Sequence, residues 1–143
     1  MSFIEEIKQR AKKEIKTIVL PEAEDLRTLQ ATEQVLKEEF AKIILLGNKK
    51  KIEEKARENK LNIDGAEIIE PENSAQYEEY AELLFNLRKH KGMTIETAKE
   101  LTKDPVYYGM LMLKDENSHA DGLVSAMIVK FFEEMENKNK TFL

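Results

Sequence analysis

The chain has 143 residues, which by length is one domain with room for a single substantial core. Apolar residues make up 41% and charged residues 36%, a balance that describes a globular protein with a heavily charged surface and excludes a disordered one. A net charge of −5, with lysines interleaved among glutamates, argues against a general nucleic-acid binder, and the absence of cysteine rules out disulfides and thiolate metal sites.

The amino terminus alternates apolar and charged residues and contains no continuous apolar run. It therefore reads as neither an export signal nor an anchor, and no later stretch is long enough to span a bilayer. The thiol-free, lysine-rich composition fits the cytoplasm. Short apolar runs rich in Ile, Val and Leu occur at 17–20, 43–46, 67–69 and 122–124. Each is too short for a helix and reads as a parallel strand buried on both faces.

Between the first two runs, Leu26, Leu29, Leu36 and Phe40 recur at helical spacing behind the acidic pair Glu24-Asp25, which suits the positive end of a helix dipole. Asn48 is a candidate N-cap for a charged helix over 49–59, and Ser74 for one carrying Tyr77, Tyr80, Ala81 and Leu84. Strands alternating with helices predict an α/β/α sandwich of three layers around a mainly parallel sheet, joined by right-handed crossovers.

The segment 92–113 interrupts that alternation. Gly92 suits the end of the preceding helix, Thr94 can cap the next, and Met93 can pack on Ala98 across that cap. Asp104-Pro105 is an N-cap followed by proline at the first helical position. The body that follows, 106–113, is apolar nearly all round and is expected to be buried between layers or at an interface.

Leu87-Arg88-Lys89-His90-Lys91-Gly92-Met93-Thr94 concentrates basic side chains in an otherwise acidic chain. Arg88 follows Leu84 by four residues and Tyr80 by eight, so spacing puts it on the buried stripe of its helix. One reading is that these residues complement the negative end of the helix dipole. The other is an anion clamp, in which the guanidinium fork holds phosphate. His90 and His119 lack a second ligand at metal spacing, so no metal site is expected; both read as surface residues. Gly47-Asn48-Lys49-Lys50 lacks the spaced glycines of a phosphate loop and reads as a tight turn. Glu22, after the first strand, reads as structural first.

Four segments together carry a family resemblance: Thr17-Ile18-Val19-Leu20-Pro21-Glu22, Ile43-Ile44-Leu45-Leu46-Gly47-Asn48, Leu87-Arg88-Lys89-His90-Lys91-Gly92 and Ala120-Asp121-Gly122-Leu123-Val124-Ser125. Over about residues 1–125 the chain resembles the amino-terminal domain of phosphate acetyltransferase (phosphotransacetylase), which moves an acetyl group between phosphate and coenzyme A. The resemblance implies domain I of that enzyme, an isocitrate/isopropylmalate dehydrogenase-like fold. It also implies that Arg88 matches the arginine associated with coenzyme A phosphate, and that Ser125 stands at the cleft wall.

By the same resemblance coenzyme A and acetyl phosphate are substrates and no covalently bound cofactor is involved. The thiolate of coenzyme A attacks the acetyl carbonyl, an aspartate takes the thiol proton, and Arg and Ser stabilise the oxyanion and phosphate. The family's aspartate and Ser-Arg pair lie in its carboxy-terminal half, so this chain is expected to supply no catalytic residue and to be inactive alone. Two other readings are a non-catalytic binding module derived from the family and a fragment of phosphate butyryltransferase.

After Ser125 the family's Gly-Ala and later Leu-Arg-Pro are replaced by Ala126-Met127-Ile128-Val129-Lys130-Phe131-Phe132. Val124, Ile128, Phe131, Phe132 and Met135 fall at three- and four-residue steps, with Glu133, Glu134 and Glu136 turned away. This predicts an amphipathic helix with a frayed end over 126–143. It either completes the same domain or joins two chains into a homodimer.

Overall fold

A computed structural model describes residues 2–125. Its order is α1 (Phe3–Lys13), β1 (Lys16–Leu20), α2 (Leu26–Glu38), β2 (Ala41–Leu46), α3 (Lys49–Glu58), β3 (Glu67–Ile69), α4 (Tyr77–Arg88), α5 (Ile95–Thr102), α6 (Pro105–Lys114) and β4 (Gly122–Leu123). The four strands form one parallel sheet in the order β3-β2-β1-β4. The four apolar runs are these strands, to within two residues at either end.

Alternation along each strand divides the core into two clusters. Val19, Ile44 and Leu46 face one side, where they meet Tyr80 and Leu84 of α4, Ala98 of α5, and Tyr108, Leu111 and Met112 of α6. Ile43 and Leu45 face the other, against Leu29 of α2 and Ile52 and Ala56 of α3, with Ile18 and Leu20 packed on that cluster. The result is the expected three layers.

The caps follow from local chemistry. Asp25 accepts from Arg27 N, Asn48 from Lys51 N, Thr94 from Thr97 N and Asp104 from Val106 N, each satisfying an amide that has no partner inside its helix. Gly92 takes φ 87°, the left-handed conformation that ends the turn after α4. Glu39 takes the same region at φ 57°, ending α2 without a glycine, so no residue type announced that stop.

Two local expectations are corrected. Ser74 does not cap α4, whose N-cap is Gln76 with no side-chain bond. Its hydroxyl instead donates to Pro71 O and accepts from Tyr108 Oη at 2.7 Å, a tertiary contact that competes with capping. Nor is α6 buried all round: Gly109 lies against the sheet and Tyr108, Leu111 and Met112 are buried, whereas Tyr107, Met110 and Leu113 are exposed. A second helical layer, α4 and α5, covers only one flank of α6. The amphipathic pattern expected over 126–143 lies outside the described residues.

Candidate functional site

β1 has β2 on one side and β4 on the other: the chain steps outward from β1 through β2 to β3 and then crosses back to β4, so the strand order reverses at β1. In open α/β sheets the carboxyl ends of strands at such a reversal form the crevice where ligands bind. Glu22 follows β1 there and Ser125 follows β4. The pairing of Val19 with Leu123 and the bond from Val124 N to Val19 O bring the two chain segments together. Ser125 is 2% exposed and its hydroxyl donates to the Glu22 carboxylate. Ser125 thus occupies the strand-end position expected of it, and Glu22 is its partner. Sequence reasoning gave Glu22 only a structural role; its one signal was its place after a strand.

The turn at Gly47 is not a free anion site. Lys49 N at the start of α3 donates to Glu70 Oε1 at 2.7 Å, and Asn48 takes the amide of Lys51. That backbone bond, then the amide of Asn73, hold the Glu70 carboxyl below its usual range. A carboxylate of the chain itself fills the place where an external anion would sit, which agrees with the reading of 47–50 as a turn.

Arg88 is exposed, against the expectation from its spacing. In the last turn of α4 Phe85 still packs against the core, but Leu87, 40% exposed, and Arg88 face solvent. Among the described residues the Arg88 guanidinium meets no acceptor. It stands beside Lys89, His90 and Lys91, which form a 3-10 turn, all exposed.

Arg88 and Ser125 are not brought together. Tyr108, near the start of α6, reaches Ser74 just after β3, while Tyr80 of α4 reaches Asp115 at the end of α6. α4 therefore runs alongside α6, away from the carboxyl ends of the strands. Arg88 lies toward the strand beginnings and Ser125 at the strand ends.

A cleft of about 360 Å³ opens beside β3, lined in part by Glu67, Tyr80, Tyr108, Asp115 and His119. Its polar groups serve the fold: Tyr80 Oη donates to Asp115 at 2.7 Å, Tyr108 Oη is bonded to Ser74, and the two rings pack tilted with centroids 5.0 Å apart. Burial pushes both hydroxyls up, and at Tyr80 the Asp115 carboxylate adds to the effect. The strand-end pair is therefore the better candidate. His119 and His90 are exposed as expected, and no group of metal-ligating side chains occurs among the described residues.

Comparison with known proteins agrees with the fold. The family described as phosphate acetyl/butaryl transferase matches residues 2–137, so the likeness continues past Ser125. The chain is 46% identical over 128 residues to the phosphate acetyltransferase of Acetivibrio thermocellus, covering 90% of this chain and 37% of that protein. To that of Clostridium acetobutylicum it is 44% identical, covering 90% and 38%.

Among solved structures, the EutD phosphotransacetylase from Staphylococcus aureus superposes with a TM-score of 0.74 at 33% identity, covering 83% of this chain and 35% of that one. A phosphotransacetylase from Streptococcus pyogenes gives 0.77 at 26% identity, covering 87% and 38%. The chain thus spans little more than a third of the length of the curated relatives it matches. With its parallel sheet and its strand-end pair, it belongs to the phosphate acetyl/butaryl transferase family, of which it represents an amino-terminal segment.

Proposed function

We propose that this chain is the amino-terminal α/β unit of a phosphate acetyltransferase, inactive alone, which forms one wall of a cleft completed by a carboxy-terminal partner segment. The observation that carries the reading is family membership together with Ser125 and Glu22 joined at the reversal point of the sheet. The substrates are coenzyme A and acetyl phosphate, the acyl-transfer chemistry requires no metal or covalently bound cofactor, and the compartment is the cytoplasm. Neither nucleic acid nor membrane is a partner; among the described residues no helix is long and apolar enough to cross a membrane.

Arg88 contributes phosphate recognition toward coenzyme A. Its support is an exposed guanidinium without an acid partner among the described residues, flanked by two lysines. Its distance from the strand ends is compatible with a ligand whose phosphates and thiol stand at opposite ends of a long arm. Ser125 lines the acyl end of the cleft. Its hydroxyl is held by Glu22, which fixes its orientation.

The test is complementation. The purified chain, alone and mixed with the carboxy-terminal portion of the Clostridium acetobutylicum relative, is assayed for thioester formation from acetyl phosphate and coenzyme A. Silence alone and turnover in the mixture are expected. Binding of coenzyme A without turnover in any mixture would instead make the chain a non-catalytic binding module.

A further inference from the structure

The first helix stands apart from both cores. None of its residues is buried. It is held to the body through Lys8, whose Nζ donates to Glu38 Oε1 at 2.8 Å and lies 5.9 Å from the centre of the Phe40 ring. Its sequence is amphipathic all the same: at about 100° per residue, Phe3, Ile4, Ile7 and Ala11 share an arc of about 100°. Phe3 is 74% exposed, Ile4 63% and Ile7 47%. An apolar stripe of this kind is the mark of a helix that packs on something, and contiguous exposed apolar surface is the mark of an interaction site.

We infer that this stripe is an interface between two copies of the chain, with α1 of one lying antiparallel on α1 of the other about a two-fold axis. Charge complementarity selects this occupant. The stripe has two edges. Lys8 lies along one, where Glu38 already neutralises it. Along the other stand Glu6 and Arg10, one turn apart, and neither makes an ion pair among the described residues. An antiparallel copy reverses their order, so Glu6 of each chain comes beside Arg10 of the other and two ion pairs rim the stripe. A two-fold contact demands this self-complementarity, because where residue i meets j, j must meet i. Parallel pairing would instead set Glu6 on Glu6 and Arg10 on Arg10.

The helix as a whole has the same polarity. Glu5 and Glu6 stand in its first turn, and Arg10, Lys12 and Lys13 in its last. Antiparallel copies therefore set acidic ends against basic ends. An anionic lipid surface fits less well, since it would repel Glu5 and Glu6, which share their turns with Phe3, Ile4 and Ile7. Three large apolar side chains from each copy make a small contact, short of the ~800 Å² per partner in a standard interface, so the dimer forms reversibly and with rising concentration.

Sedimentation equilibrium of the full chain, from about 1 to about 500 μM, covers the range expected of so small an interface. A monomer–dimer equilibrium is expected. Ile7→Asp, Glu6→Arg and Arg10→Glu should each weaken it about ten-fold or more, because each puts an unpaired or like charge into the contact. Their thermal midpoints should match the parent's, since no residue of α1 is buried. An equimolar mixture of Glu6→Arg and Arg10→Glu should recover association to within about three-fold of the parent, because each swapped position again meets its opposite charge. That recovery also shows both variants to be folded. A parent chain that stays monomeric throughout overturns the inference, and its co-sedimentation with phosphatidylserine vesicles would give the stripe to a lipid surface instead. A dimer indifferent to all three variants, or a mixture no stronger than either variant alone, overturns it as well.

Discussion

The hydroxyl of Ser125 donates to the carboxylate of Glu22 across the ends of two adjacent strands, joining positions 103 residues apart. Because Ser125 is buried and Glu22 is a carboxylate, the bond is charge-assisted and strapped to the rim of the sheet. Ser125→Ala should cost about 1 kcal/mol in urea unfolding by removing this hydrogen bond between the strand ends. It should also lower turnover in the complemented enzyme by more than the loss of folded protein explains. Unchanged stability would mean that the pair does not hold the edge.

Arg88 separates the two readings of the basic segment. In the complemented enzyme, Arg88→Gln should raise KM for coenzyme A ten-fold or more, as expected for the loss of a charged contact worth about 1.5 to 3 kcal/mol, and leave KM for acetyl phosphate nearly unchanged. Equal effects on both substrates would return Arg88 to the role of complementing a helix end.

Tyr80 sets a limit on alkaline stability. Its folded hydroxyl titrates above the ordinary value of 10.0, because of burial and the bond to Asp115, so the folded state favours the protonated form. That contribution is complete below about pH 10 and declines as pH rises from there toward the folded value. Tyr80→Phe should lower the midpoint at neutral pH and flatten the fall above pH 10; an identical alkaline slope in both proteins would exclude this linkage.

Glu70 acts at the acid end. Its carboxyl titrates below the ordinary 4.5 because it accepts from Lys49 N and Asn73, so its contribution is present above about pH 4.5 and is lost as pH falls through the lower folded value. Glu70→Gln should reduce the thermal midpoint by a few degrees at pH 7, and the difference should shrink on acidification. A gap that is constant with pH would place the effect elsewhere.

Gly109 allows α6 to lie directly on the sheet. Gly109→Ala would push a methyl into Leu123, with the fully buried Leu46 and Val19 behind it. A loss of about 1 to 3 kcal/mol is expected from overpacking. No loss at all would show that Leu123 yields freely.

The local alphabet of the fold was present in the residues themselves. Ile43-Ile44-Leu45-Leu46 declares a strand buried on both faces, because its alternate positions must serve two cores, and Asp25, Asn48, Thr94 and Asp104 bind amides within their own first turns. Such signals act over a few residues and hold where no tertiary contact competes for the same group. Ser74 shows where they stop: its position before a helix favoured a cap, but the hydroxyl of Tyr108, 34 residues away, claimed it.

The site divides in the same way. Sequence offered Arg88 and Ser125 as candidates, since residue type and neighbouring motif fix what a side chain can donate or accept. Only the tertiary structure decided that Glu22 holds Ser125, that Glu70 fills the start of α3, and that Arg88 at the end of α4 stands in solvent. Those outcomes depend on strand order and on where neighbouring helices end. Both are set by the simultaneous packing of two cores against one sheet, so no window of sequence contains them.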